Sequence, residues 1–178
     1  MGVFAVGRYP RVAAYRRGMD DWTARVAAVW ADAAARPERE VETAIEALVA
    51  ERAADDPVAV FELAGARDYV GREAEAEPLY RRALGLGLGE PQRGQAVIQL
   101  ASTVRNLGRP LEALALLRDE FADRPQHPLA DAATAFAALA LADTGAEREA
   151  LVATLRALAP HLPAYGRAVA AYADDLLG

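Results

Sequence analysis

The sequence predicts an all-α protein built from repeated helix pairs, and three observations carry that prediction. Alanine supplies about a quarter of the 178 residues, while aromatic residues make up 7% and isoleucine and threonine are few. Alanine is the best intrinsic helix former, whereas β-branched and aromatic residues favour strands. Three features also recur at a common step of thirty-seven residues. They are a glycine (Gly71, Gly108, Gly145), a Glu-Ala pair (Glu75-Ala76, Glu112-Ala113, Glu149-Ala150) and a bulky apolar residue (Leu84, Phe121, Leu158). Periods of this length mark units that bury an apolar face only by stacking on their neighbours. Finally, Phe61–Leu84 (FELAGARDYVGREAEAEPLYRRAL) reads as two short amphipathic helices around a tight turn at Gly71-Arg72. About nine helices are expected in all.

Residues 1–19 form a basic N-terminal arm with Arg8, Arg11, Arg16 and Arg17, no acidic residue, and Tyr9 and Tyr15 around Pro10. Such an arm suits an anionic surface; the expectation is a poorly ordered tail, or an over-long start with Met19 as the true beginning. Residues 20–56 read as a helical pair. The first helix starts at an Asp20-Asp21 cap and carries Trp22, Val26, Val29, Trp30 and Ala33 on one face. Arg36-Pro37 breaks it, and a second helix with Val41, Ala44, Ile45, Leu48 and Val49 is expected to run to near Ala54. The two tryptophans are core anchors or, alternatively, the interface of a dimer.

Residues 57–162 hold three helix pairs. Asp56-Pro57 caps the first, spanning about 57–70 and 72–86, with Pro78 expected to bend its second helix. Pro91 and Pro110 open the helices of the next pair, and Pro128 opens the third. Each repeated glycine ends a helix where φ must be positive, a conformation glycine alone adopts without steric cost. Beyond Pro160 and Pro163, residues 163–178 form a capping helix with Tyr165, Val169, Tyr172, Ala173 and Leu176.

Composition excludes several classes of function. A net charge of −6 disfavours non-specific nucleic-acid binding, although every basic residue is arginine. With no cysteine, disulfides, cysteine-ligated metals and thiol nucleophiles are ruled out. No apolar run reaches the ~20 residues needed to span a bilayer, so no membrane partner and a cytoplasmic location are expected. His127 and His161 stand beside prolines in loops, outside any metal-ligand spacing, and GLGLGEP follows a helix rather than a strand, so it reads as a flexible connection rather than a phosphate loop. No carboxylate stands out as an acid or base, and neither an enzyme activity nor a cofactor or metal is expected.

The spacing of small and large residues resembles the tetratricopeptide repeat, most closely the small stand-alone bacterial members of that family, among which dimers are expected. The small positions are Ala64, Ala101 and Ala138 in the first helices, Ala76, Ala113 and Ala150 early in the second, and Ala83 and Ala157 later, with Glu120 departing between them. The aromatic of the second helix is Tyr80, replaced by Leu117 and Thr154. Where the family has a bulky apolar residue late in the first helix stand Arg67, Val104 and Leu141. The step exceeds the usual thirty-four, and the extra residues fall in the loops GLGLGEP and DRPQHP.

The resemblance implies a right-handed superhelical α-α solenoid whose concave groove binds a protein or peptide. Its groove positions correspond to Val58, Phe61, Gly65, Asp68 and Tyr69, then Gln95, Ile98, Ser102, Arg105 and Asn106, then Ala132, Ala135, Leu139, Ala142 and Asp143. Phe61 and Gly65 stand where one subclass clamps a terminal carboxylate with Lys and Asn, so that clamp is missing. Arg105 either holds an anionic group or pairs with Asp68 or Asp143. Three functional readings follow: a non-enzymatic module binding a peptide or protein segment in its groove, a homodimeric scaffold joined through Trp22 and Trp30 or Tyr165 and Tyr172, and a regulator binding a small anion at Arg105.

Overall fold

The computed structural model describes residues 20–178, so the basic arm 1–19 lies outside the described residues. Among the described residues all regular structure is helical: α1 (Asp21–Ala31), α2 (Glu38–Val49), α3 (Pro57–Tyr69), α4 (Glu73–Gly85), α5 (Gln92–Asn106), α6 (Pro110–Phe121), α7 (Ala130–Asp143), α8 (Glu147–Leu158) and α9 (Gly166–Asp175). Short 3-10 turns at Ala33–Ala35 and Ala159–His161 follow α1 and α8. The described residues divide into two compact units, one up to Gln92 and one from Arg93.

In the N-terminal unit each helix packs on the next, α1 on α2, α2 on α3 and α3 on α4. The Asp20 carboxylate caps α1 by accepting the Thr23 N–H at 2.8 Å, and Asp56 caps α3 by accepting from Val58 at 2.9 Å and Ala59 at 3.1 Å. Expected to run to near Ala54, α2 instead stops at Val49. At this end the backbone tightens, the Leu48 carbonyl accepting the Glu51 N–H at 3.1 Å as well as the Trp22 indole N–H at 2.7 Å. A continuing helix would offer that carbonyl to Arg52, whose N–H turns to Val49 instead, at 3.0 Å. Trp22, Val26, Ile45, Leu48, Ala59 and Ala66 form the core between α1, α2 and α3.

Arg67 departs from the family pattern in a way the structure explains. Its guanidinium, largely buried, pairs with Glu42 and, at 2.5 Å, with Glu46, both on α2. Arg72 adds a bond to Glu42 at 2.8 Å. Polar cross-links thus fasten α3 to α2 where an apolar contact was expected.

Gly71, Gly108 and Gly145 have φ of 77°, 82° and 81°. In each case the following N–H reaches back to a carbonyl in the helix before: Arg72 to Arg67 at 2.8 Å, Arg109 to Val104 at 3.1 Å and Ala146 to Leu141 at 3.0 Å. Gly87 closes α4 in the same manner, and Leu88 after it is buried. The GLGLGEP loop is therefore tethered by Leu88 rather than being a loose connection.

In the C-terminal unit α6 packs on α7, α7 on α8 and α8 on α9. Arg93 joins α5 to α6 through a forked pair with Glu120, at 3.0 and 2.6 Å. Helices α5 and α7 begin one and two residues after Pro91 and Pro128, whereas Pro110 sits in the first turn of α6 as expected. His127 in the loop before α7 packs edge-on against Phe121, with ring centroids 5.2 Å apart, and accepts the Leu129 N–H on Nδ1 at 3.1 Å.

Candidate functional site

In the N-terminal unit, the groove positions of α3 are mostly used internally. Phe61 is buried against Tyr80, with centroids 6.2 Å apart. Asp68 is buried and accepts the Tyr80 hydroxyl at 3.3 Å. Burial, reinforced by Asp68, pushes the Tyr80 hydroxyl well above its ordinary range, so it remains a donor. Tyr69 lies edge-on to Trp30 at 5.7 Å and donates to the Ala33 carbonyl at 3.2 Å. Phe61, Asp68 and Tyr69 therefore do not present side chains to a partner, contrary to the groove expectation.

The same unit contains a group that sequence reasoning missed. Glu62 accepts the Trp30 indole N–H at 2.6 Å, and burial pushes its carboxyl up to about 7 against the opposing pull of that hydrogen bond. Its signal in the sequence was its isolation, as the one charge in the run from Pro57 to Ala66. The tryptophans are engaged within the unit as well, Trp22 buried and Trp30 partly so. Trp22 is buried beneath the Arg52 guanidinium, 4.5 Å from the ring centroid, and Trp30 is spent on Glu62 and Tyr69. Of the two readings of the tryptophans, core anchors and dimer interface, these contacts support the first.

In the C-terminal unit Ile98 and Ser102 are buried, which removes two further groove positions from the surface. Gln95 is partly exposed and Asn106 exposed. Arg105 meets Asp143, one of its two expected partners, with Nε 2.6 Å from Oδ2 and Nη2 donating to Oδ1 at 3.2 Å. The Nε hydrogen is not aligned on an acceptor, so the directed bond is the longer one. A cation already opposed in this way is a poor anchor for a small anion.

Helix α7 is the unusual element of this unit. Asp131, Ala135, Leu139 and Asp143 repeat every fourth residue and share one side. Asp131 at one end meets His161 Nε2 at 2.8 Å, and Asp143 at the other meets Arg105. Between these pairs Ala135 and Ala142 are exposed and Leu139 is 48% exposed. A helix apolar on every side is ordinarily buried, yet this side of α7 is bare. The strip is about 18 Å long, from twelve residues at the helical rise.

Among the described residues no cluster of histidine and acidic side chains has the makings of a metal site, and no helix is long and apolar enough to cross a membrane. Tyr165 and Tyr172 are 83% and 70% exposed.

The family model described as Tetratrico peptide repeat matches residues 57–176, from the first residue of α3 through α9. The chain belongs to the tetratricopeptide-repeat family. No curated protein and no solved structure matches it. Tetratricopeptide repeats mediate protein–protein interaction and are generally non-enzymatic scaffolds. The match includes α9, which extends the family likeness beyond the three pairs read from the sequence.

Proposed function

We propose that this tetratricopeptide-repeat chain is a non-enzymatic module that binds a short peptide or protein segment on the α5–α7 face of its C-terminal unit. The observation carrying this reading is the bare strip Ala135–Leu139–Ala142 between the His161–Asp131 and Arg105–Asp143 pairs. At ~3.4 Å per residue, about three residues of an extended segment span the strip and about five reach from Asp131 to Asp143. An apolar side chain of the ligand packs on Leu139, while Gln95 and Asn106 on α5 offer amides to its backbone. The partner is thus apolar at its centre, with polar groups toward its ends.

A displayed peptide library selected on the full chain tests this. Enriched peptides are expected to share a central apolar anchor and to lose about tenfold or more in affinity for Leu139→Asp. They should bind Leu111→Asp normally, because Leu111 is 71% exposed at the start of α6, outside the strip. Equal affinity for both variants would remove the strip as the binding face.

A further inference from the structure

Glu62 of α3 is a carboxyl set into the N-terminal unit without a cation opposite it. Glu42, Glu46, Asp56 and Glu77, likewise partly buried, each pair with an arginine. Among the described residues Glu62 makes no such pair. Its one hydrogen bond is the Trp30 indole N–H on Oε2, and Oε1 has no partner. A carboxyl sheltered from water in this way is costly unless something opposes its charge. The two tryptophans show the same contrast. The Trp22 ring is covered by the Arg52 guanidinium, whereas among the described residues no cation lies over Trp30. The carboxyl is also reachable, since Glu62, Trp30, Val58 and Gly65 are all partly exposed. Val58 and Gly65 lie one turn to either side of Glu62 on α3. Gly65 adds no side chain over the carboxyl, and a Cβ there would lie 3.6 Å from Trp30 Cζ2, which places the indole beside this part of the helix. The neighbouring titratable groups, Tyr80 of α4 and Asp68, are bonded to each other at 3.3 Å, which leaves Glu62 Oε1 as the open acceptor. Up to Gln92 the described residues hold sixteen acidic side chains against eight arginines, a balance that attracts a cation and repels an anion.

We propose that Glu62 and Trp30 form a cation site, in which Glu62 Oε1 accepts from a guanidinium or alkylammonium group whose apolar stem lies along the indole and Val58. The ligand is one cation on an aliphatic stem, carried by a small amine or by an arginine or lysine side chain of a partner. Guanidinium suits the site better than ammonium, because its flat face stacks on an indole while its edge donates to a carboxylate. The carboxyl gives its proton to solvent as the cation arrives, since the charged form alone is favoured by an opposite charge. This site belongs to the N-terminal unit and takes a ligand of different chemistry from the α7 strip, so either assignment stands if the other fails.

A heteronuclear NMR titration of the full chain tests the site, with the indole N–H signals of Trp22 and Trp30 as probes. The ligands are agmatine, a blocked Ala-Ala-Arg-Ala-Ala peptide, and the same peptide with citrulline, which keeps the shape and lacks the charge. Agmatine and the arginine peptide are expected to move the Trp30 signal saturably and to leave that of Trp22 in place. Tighter binding of the peptide assigns the site to a protein partner, and equal or tighter binding of agmatine assigns it to a small amine. Affinity is expected to be about tenfold higher at pH 8 than at pH 6, because burial holds the free carboxyl at about 7. Glu62→Gln, with an unchanged circular dichroism spectrum, is expected to lose the shift. Glu40→Gln, which removes an exposed carboxylate of α2, is expected to keep it. A Trp30 signal that neither cation moves at about 20 mM overturns the site. So does a citrulline peptide that binds like the arginine one, an affinity equal at the two pH values, or a Glu62→Gln chain that binds like the parent.

Discussion

Trp30 of α1 and Glu62 of α3 are joined by an indole-to-carboxylate hydrogen bond of 2.6 Å, and nothing else in the first turns of α3 carries a charge. The pair fastens the N-terminal helix to the first repeat through a carboxyl that burial holds at about 7. Because the folded chain binds this proton more tightly than the unfolded one, the stabilisation is complete below the free glutamate value of about 4.3. As pH rises toward 7 the unfolded chain deprotonates first and stability falls, levelling above 7. The side chain keeps partial exposure, which limits the loss to about 1–3 kcal/mol. Urea unfolding followed by tryptophan fluorescence between pH 5 and pH 8 reads it. Glu62→Gln keeps an acceptor for Trp30, removes this part of the slope and is expected to be the more stable chain at pH 8. An unchanged slope would show that Glu62 titrates normally.

Arg67 stands where the family carries an apolar residue, and its two glutamate partners lie on α2. Arg67→Ala leaves Glu42 buried with only Arg72 beside it, and a loss of about 1–3 kcal/mol is expected. Replacing the cross-link by an apolar contact, with Arg67→Leu and Glu42→Leu together, should recover most of that loss. A double-mutant cycle by urea denaturation measures the coupling, and additive single effects would mean that the two residues do not act as a pair.

Two glycines are expected to respond differently to alanine. A Cβ at Gly108 meets nothing within 4 Å, so Gly108→Ala costs only the positive φ of 82°, about 1–2 kcal/mol. A Cβ at Gly166 would lie 2.4 Å from the Ala159 carbonyl oxygen, a backbone atom that moves only with the chain. Gly166→Ala is therefore expected to shift or fray α9 and to cost more than Gly108→Ala, as read by thermal unfolding and by amide exchange in α9. Equal losses in the two variants would mean that the turn into α9 yields freely.

The helix starts and stops were the most legible features, because caps are local. Asp20, Asp56 and the repeated glycines act on backbone groups only a few residues away, and the structure confirms each. The end of α2 escaped sequence reasoning, and there the Leu48 carbonyl accepts from Trp22, twenty-six positions away, as well as from Glu51. The Arg105–Asp143 pair was anticipated as one of two pairings, because the two residues close the first helices of neighbouring helix pairs, α5 and α7.

By itself the sequence determined the all-α class, the thirty-seven-residue step and the family, because periodicity, capping and small-residue spacing are properties of neighbouring residues. Tertiary structure decided which groove positions reach the surface. Phe61 and Leu139 are both groove positions, one helical turn apart in the repeat, yet Phe61 is buried and Leu139 is 48% exposed. The spacing along one helix sets the direction of a side chain, whereas its exposure depends on what other helices bring against it. Here Tyr80 meets Phe61, and the α7 side that carries Leu139 is left bare.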